Sequence, residues 1–84
     1  MYTIVGLELI EYEKNGTTVR GFKVYSIYKH DNVKGCKVAE DYISSSRQTN
    51  LYCKINNIYE DFEDAIDCEF TFGRDGKLSN INIL

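Results

Sequence analysis

The sequence predicts an all-β domain, a small barrel or meander of five or six strands, and three observations carry that expectation. Segments rich in Val, Ile, Thr, Tyr and Phe alternate in polarity with a period of two. Asn-Gly and Asp-Gly pairs punctuate them where tight turns are needed. The chain contains no Pro and no long amphipathic run that would build a helical layer. With 84 residues it forms one domain, residues 1–84, and its 43% hydrophobic and 13% aromatic content is enough for a single core.

Residues 2–13 and 17–30 read as the two arms of a hairpin, turned by Asn15 and Gly16, which accept the positive φ angles of a two-residue turn. In the second arm Phe22, Val24, Ser26 and Tyr28 share one face, and Lys23, Tyr25 and Ile27 the other. Both faces are partly apolar. Asp31 and Asn32 begin a second turn, and Val33 to Ser44 reads as a third strand in which Gly35 marks a bulge. The polar run from Ser44 to Asn50 reads as an exposed loop, followed by a short strand from Leu51 to Ile55. Ile58, Phe62 and Ala65 or Ile66 have helical spacing, so residues 58–65 form either a short helical turn or a loop pinned by Phe62.

The segment from Ile66 to Phe72 alternates most cleanly. Ile66, Cys68, Phe70 and Phe72 point inward, and Asp67, Glu69 and Thr71 outward. Arg74, Asp75 and Gly76 make a turn, and Lys77 to Leu84 returns as a last strand with an irregularity near Leu78 to Asn80. A closed or nearly closed barrel is the most economical arrangement, because closure hides strand edges.

Several chemistries lack their residues. His30 is the only histidine and lies at a strand end beside Lys29 and Asp31, where a solvated turn is expected rather than a catalytic base. Cys36, Cys53 and Cys68 are an odd set without metal-ligand spacing, so reduced thiols are expected. No phosphate loop, dinucleotide fingerprint or calcium-loop spacing is present. The expectation is a non-enzymatic protein without cofactor or metal. No apolar run approaches the roughly 18 residues of a membrane span, and residues after Met1 do not read as an export leader. A cytoplasmic location and no membrane partner follow as expectations.

Charge is the unevenly distributed property. The net charge of -3 conceals a central stretch, residues 14–54, with eight bases against three acids. The flanks hold ten acids against Arg74 and Lys77. Single-stranded nucleic acid is held by cations on phosphates together with aromatic faces on bases. Arg20, Phe22, Lys23, Tyr25, Tyr28 and Lys29 interleave both kinds in one hairpin arm, with Lys34 and Lys37 extending the track on the next strand and Lys14 at the tip. The competing reading uses the acidic pole, Glu60, Asp61, Glu63, Asp64, Asp67 and Glu69, to dock on a basic surface of a host protein as an inhibitor or DNA mimic. A third reading makes the second apolar face of the hairpin a homodimer interface.

Three stretches carry a resemblance: Val19-Arg20-Gly21-Phe22-Lys23-Val24-Tyr25, Val33-Lys34-Gly35-Cys36-Lys37-Val38, and the ending from Ile66 to Leu78 with its Gly73-Arg74-Asp75-Gly76 turn. Their order resembles small β-barrel proteins of Firmicutes phages and mobile elements, and more loosely the filamentous-phage gene V type single-strand DNA-binding proteins. The abundance of Asn, Ile, Lys and Tyr suits an AT-rich genome of that kind. The resemblance implies an OB-like barrel, commonly dimeric, with Arg20, Phe22, Tyr25 and Tyr28 as strand-binding positions.

Overall fold

A computed structural model describes residues 1–84. The chain forms β1 (Tyr2–Lys14), β2 (Thr17–Tyr28), β3 (Lys37–Ser44), α1 (Thr49–Glu60), β4 (Ile66–Phe72) and β5 (Leu78–Ile83). The five strands make one antiparallel sheet in the order β3-β2-β1-β4-β5. It is open, since β3 and β5 are its edges. The expected barrel closure by strand pairing is therefore absent, and α1 spans the two edges instead.

The hairpin forms as its sequence dictates. Asn15 and Gly16 have φ of 53° and 77°, the left-handed pair that matches the twist of the strands it joins, and the register runs from Lys14↔Thr17 to Tyr2↔Tyr28. It is broken once. Between Ile4 and Gly6 the register shifts, leaving Val5 as an extra residue. Beyond this bulge β1 diverges from β4, which pairs only with Tyr2, Thr3 and Ile4.

Rows of paired residues define two faces. Ile4, Ser26 and Ala39 form one row of the inner face, and Phe22 with Ile43 another. Against this face lie Leu51 and Ile55 of α1, completing a buried cluster with Val24, Cys68, Leu78 and Ile81. Each such side chain contributes roughly 1.5–3 kcal/mol by leaving water. The Phe22 ring meets Tyr52 and Tyr59 at centroid distances of 5.2 and 5.1 Å.

Three expectations are corrected between β2 and β4. Residues 33–36 are not strand: the Val33 N–H donates to the His30 carbonyl at 3.0 Å, and Gly35, with φ of 88°, is a turn residue rather than a bulge. Leu51 to Ile55 is helical, not extended, because Leu51 and Ile55 are four apart and meet the core together. The helix starts at Thr49, inside the segment read as an exposed loop, and ends at Glu60, so it overlaps the expected turn at residues 58–65 only in its first three residues. Phe62 packs against the core just after the helix ends, as the pinned-loop reading had it. Acidic residues 60, 61, 63 and 64 gather where the helix dipole is negative, with no basic residue in the last turn, and this disfavours extension.

The β4–β5 turn follows its sequence. The Gly73 N–H donates to the Lys77 carbonyl at 2.8 Å, and the Lys77 N–H to Asp75 Oδ1 at 3.0 Å. The irregularity expected near Leu78 to Asn80 is a register shift opposite Thr71 and Phe72, where the Ser79 hydroxyl donates to the Thr71 carbonyl. No helix is long and apolar enough to cross a membrane.

One polar atom in the core is unpaired. Ser26 is fully buried and its Oγ has no hydrogen-bond partner, and such a group costs about 1–3 kcal/mol. Ser26→Ala is expected to raise the unfolding free energy by about 1 kcal/mol, read as a higher urea midpoint with an unchanged slope.

Candidate nucleic-acid interface

The hairpin tip is two strands wide. β3 pairs with β2 from Tyr28↔Lys37 only as far as Gly21↔Ser44, after which the chain turns away into α1. Three serines make that turn: the Ser44 hydroxyl accepts from the Ser46 and Arg47 N–H groups, and the Ser45 N–H donates to the Arg20 carbonyl at 3.0 Å. Gln48 then reaches the other edge of the sheet, with its Nε2 donating to the Leu78 carbonyl at 2.6 Å. Lys54, six residues further along, makes a second link, at 3.3 Å from Asn80 Oδ1.

Between these elements opens a groove of about 540 Å³. Tyr12, Lys14 and Val19 of the hairpin form one wall, Glu40, Tyr42 and Ser44 of β3 lie beside them, and Arg47, Gln48, Gly76 and Lys77 close the far side. Only four of its thirteen lining residues are hydrophobic, which suits a charged, wet ligand rather than an apolar small molecule. Tyr12 and Tyr42 are 49% and 43% exposed, so each offers a ring face to solvent. Tyr42 lies over Gly21, where a Cβ would collide with the Tyr42 ring and sit 2.7 Å from the Ile43 carbonyl oxygen. That is why glycine stands in the middle of a strand here.

The charges of the groove do not cancel. Lys14, Arg47 and Lys77 form no ion pair, whereas Glu40 is already engaged by Lys23 at 2.8 Å. Burial at this wall pushes the Asp41 carboxyl above its usual range.

The residues expected from the sequence to form one binding track are distributed over both faces. Phe22 is fully buried and cannot stack on a base. Arg20 lies on the inner side of the hairpin at 3.5 Å from Glu11, and Tyr28 packs on Tyr2 with centroids 4.9 Å apart. Lys23 and Tyr25 are on the outer face, where the Tyr25 hydroxyl donates to Glu8 at 2.7 Å and is thereby held protonated above its ordinary range. Lys29, Lys34 and Lys37 are exposed at the opposite end of β2 and β3 from the groove. Sequence reasoning named Lys14 but passed over Tyr12, Tyr42, Arg47 and Lys77. The usable signal was Gly21, since a strand glycine marks a close approach on the neighbouring strand.

The six carboxylates of the acidic pole, Glu60, Asp61, Glu63, Asp64, Asp67 and Glu69, are all exposed, and none lines the groove. Asp67 accepts from the Thr3 hydroxyl at 2.8 Å, and Glu69 lies 3.7 Å from the terminal amine. No three His, Cys, Asp or Glu side chains come close enough to hold a metal ion. Cys68 is buried, and that burial, with Asp67 and Glu69 nearby, raises its thiol pKa, so it stays protonated and donates to the Tyr2 carbonyl.

Two measurements check this geometry. Gly21→Ala is expected to cost about 1–3 kcal/mol of stability in chemical denaturation through forced movement of Tyr42 and the β3 backbone. For Asp41 the folded protein holds its proton more tightly than the unfolded chain does, so its contribution to stability falls as pH rises from the unbound carboxyl value of 3.8 through the raised folded value. Asp41→Asn removes that fall, and its stability relative to the parent should rise with pH across this window. Comparison of the chain with protein-family profiles, with curated proteins and with solved structures finds no match.

Proposed function

We propose that the protein is a non-enzymatic module that binds a short single-stranded stretch of nucleic acid in the groove between the hairpin and the β4–β5 turn. The observation that carries this reading is the pairing of two exposed tyrosine rings, Tyr12 and Tyr42, with three cations free of ion pairs, Lys14, Arg47 and Lys77, in one polar groove. Rings take up bases regardless of sequence, and the cations neutralise successive phosphates with release of counterions.

The order of elements supports the same reading. Three antiparallel strands, a helix and two further strands, with β1 shared between β2 and β4, is the element order that an OB-like reading requires, here in a sheet that stays open. In that arrangement oligonucleotides lie across the second and third strands, between the loop joining the first two strands and the loop joining the last two. Here those loops are the Asn15-Gly16 turn and the Gly73 to Lys77 turn, and the groove lies between them. The site moves from the middle of β2 to its start, with Lys14 kept from the sequence-derived track.

Fluorescence anisotropy with labelled oligonucleotides at several salt concentrations tests it. Affinity is expected at about 10⁻⁶ to 10⁻⁴ M, with a log–log salt slope of about -2 for three phosphate contacts. Lys14→Ala, Arg47→Ala and Lys77→Ala should each reduce the slope by about 0.7, and Tyr12→Ala or Tyr42→Ala should cost about 1–3 kcal/mol with the slope unchanged. Absence of binding at low salt, or binding indifferent to all five substitutions, overturns the reading.

A further inference from the structure

β1 is longer than the sheet that contains it. From Gly6 to Lys14 its only strand partner is β2, and no backbone hydrogen bond from a turn or loop reaches these residues. One edge of this run is therefore open, and along it Leu9 is 40% exposed between Glu8 and Glu11. The molecule also has surface to spare. It exposes 5961 Å², where a folded monomer of 9.7 kDa exposes about 5100 Å². The excess is on the order of 800 Å², the share one partner gives to a standard interface.

We propose that two copies of this chain join antiparallel through the open edges of β1, with Ile10 opposite its own symmetry mate. A two-fold axis perpendicular to the sheet keeps each face on its own side, so the register must centre on a residue. Charge then selects which. Centring on Glu8 or Glu11 sets identical carboxylates opposite each other, and centring on Tyr12 opposes Glu11 to Glu13. Centring on Leu9 draws in Val5, which the bulge has displaced. With Ile10 at the centre, Glu8 faces Tyr12, Leu9 faces Glu11, Leu7 faces Glu13, and Glu8 lies diagonal to Lys14. The two Glu11 carboxylates also lie diagonal to each other, but each is already paired with Arg20 of its own chain. The overlap spans Gly6 to Lys14, ending at the hairpin turn on one side and the bulge on the other. Tyr12 and Lys14 belong both to this run and to the groove wall, but Ile10 and Glu13 do not line the groove, so substitutions at these two positions test the pairing separately from nucleic-acid binding.

Sedimentation and disulfide trapping test the pairing. In a chain carrying Cys36→Ser and Cys53→Ser, Ile10→Cys brings two thiols within disulfide reach across the two-fold, whereas Glu13→Cys faces Leu7. The expected result is a concentration-dependent dimer, cross-linking of Ile10→Cys at least about tenfold faster than Glu13→Cys, and a dimer constant weakened by about tenfold or more in Ile10→Lys with an unchanged circular-dichroism spectrum. A monomer at every concentration up to about 1 mM, as expected if the edge serves a strand from another protein, overturns it. So does equal cross-linking at the two positions.

Discussion

The contact between Leu51 and Ile55 of α1 and the inner face of the sheet is the interaction on which the rest of the molecule depends. No hydrogen bonds join β3 to β5, so the two edges are held in relation by a helix packed across them. Leu51 and Ile55 share one buried cluster with Phe22, Ile43, Leu78 and Ile81, and Gln48 and Lys54 fasten the same helix to β5 at its rim. An apolar seam is less directional than a ladder of backbone bonds. It allows the sheet to stay open and lets side chains and loops, rather than paired strands, fill the gap.

The groove is a product of that seam. Because α1 must begin where β3 ends, the turn at Ser44 to Gln48 is carried toward the β4–β5 turn, and Arg47 and Lys77 come to border one cavity. The same geometry determines which charges remain free. Arg20 and Lys23 of β2 are paired with carboxylates on the adjacent strands, Glu11 of β1 and Glu40 of β3. Lys14 at the end of β1 and Arg47 and Lys77 in the loops form no such pairs. The asymmetry of charge along the chain, basic in the middle and acidic on the flanks, is thus only partly preserved in space.

Local chemistry made much of the fold readable. The Asn15-Gly16 turn, the alternation of Phe22, Val24 and Ser26 with Lys23 and Tyr25, and the inward Cys68 are all as their spacing implies, since each depends on steric and polarity rules within a few residues. The segment from Leu51 to Ile55 was not readable in this way. Leu-Tyr-Cys-Lys-Ile fits a short strand by composition and a helix by the four-residue interval, and only the core it meets decides between them. The same holds for Phe22, whose type and neighbours suit either a stacking platform or a core residue.

The sequence by itself determined the β class, the hairpin, the turns and the faces of the longer strands, because φ preferences and two-residue periodicity act over short distances. Tertiary structure alone decided that β1 lies between β2 and β4, that the sheet stays open under α1, and that Tyr12, Tyr42 and three unpaired cations share a groove. Those outcomes depend on contacts between residues far apart in the chain, where burial of apolar surface outweighs local preference.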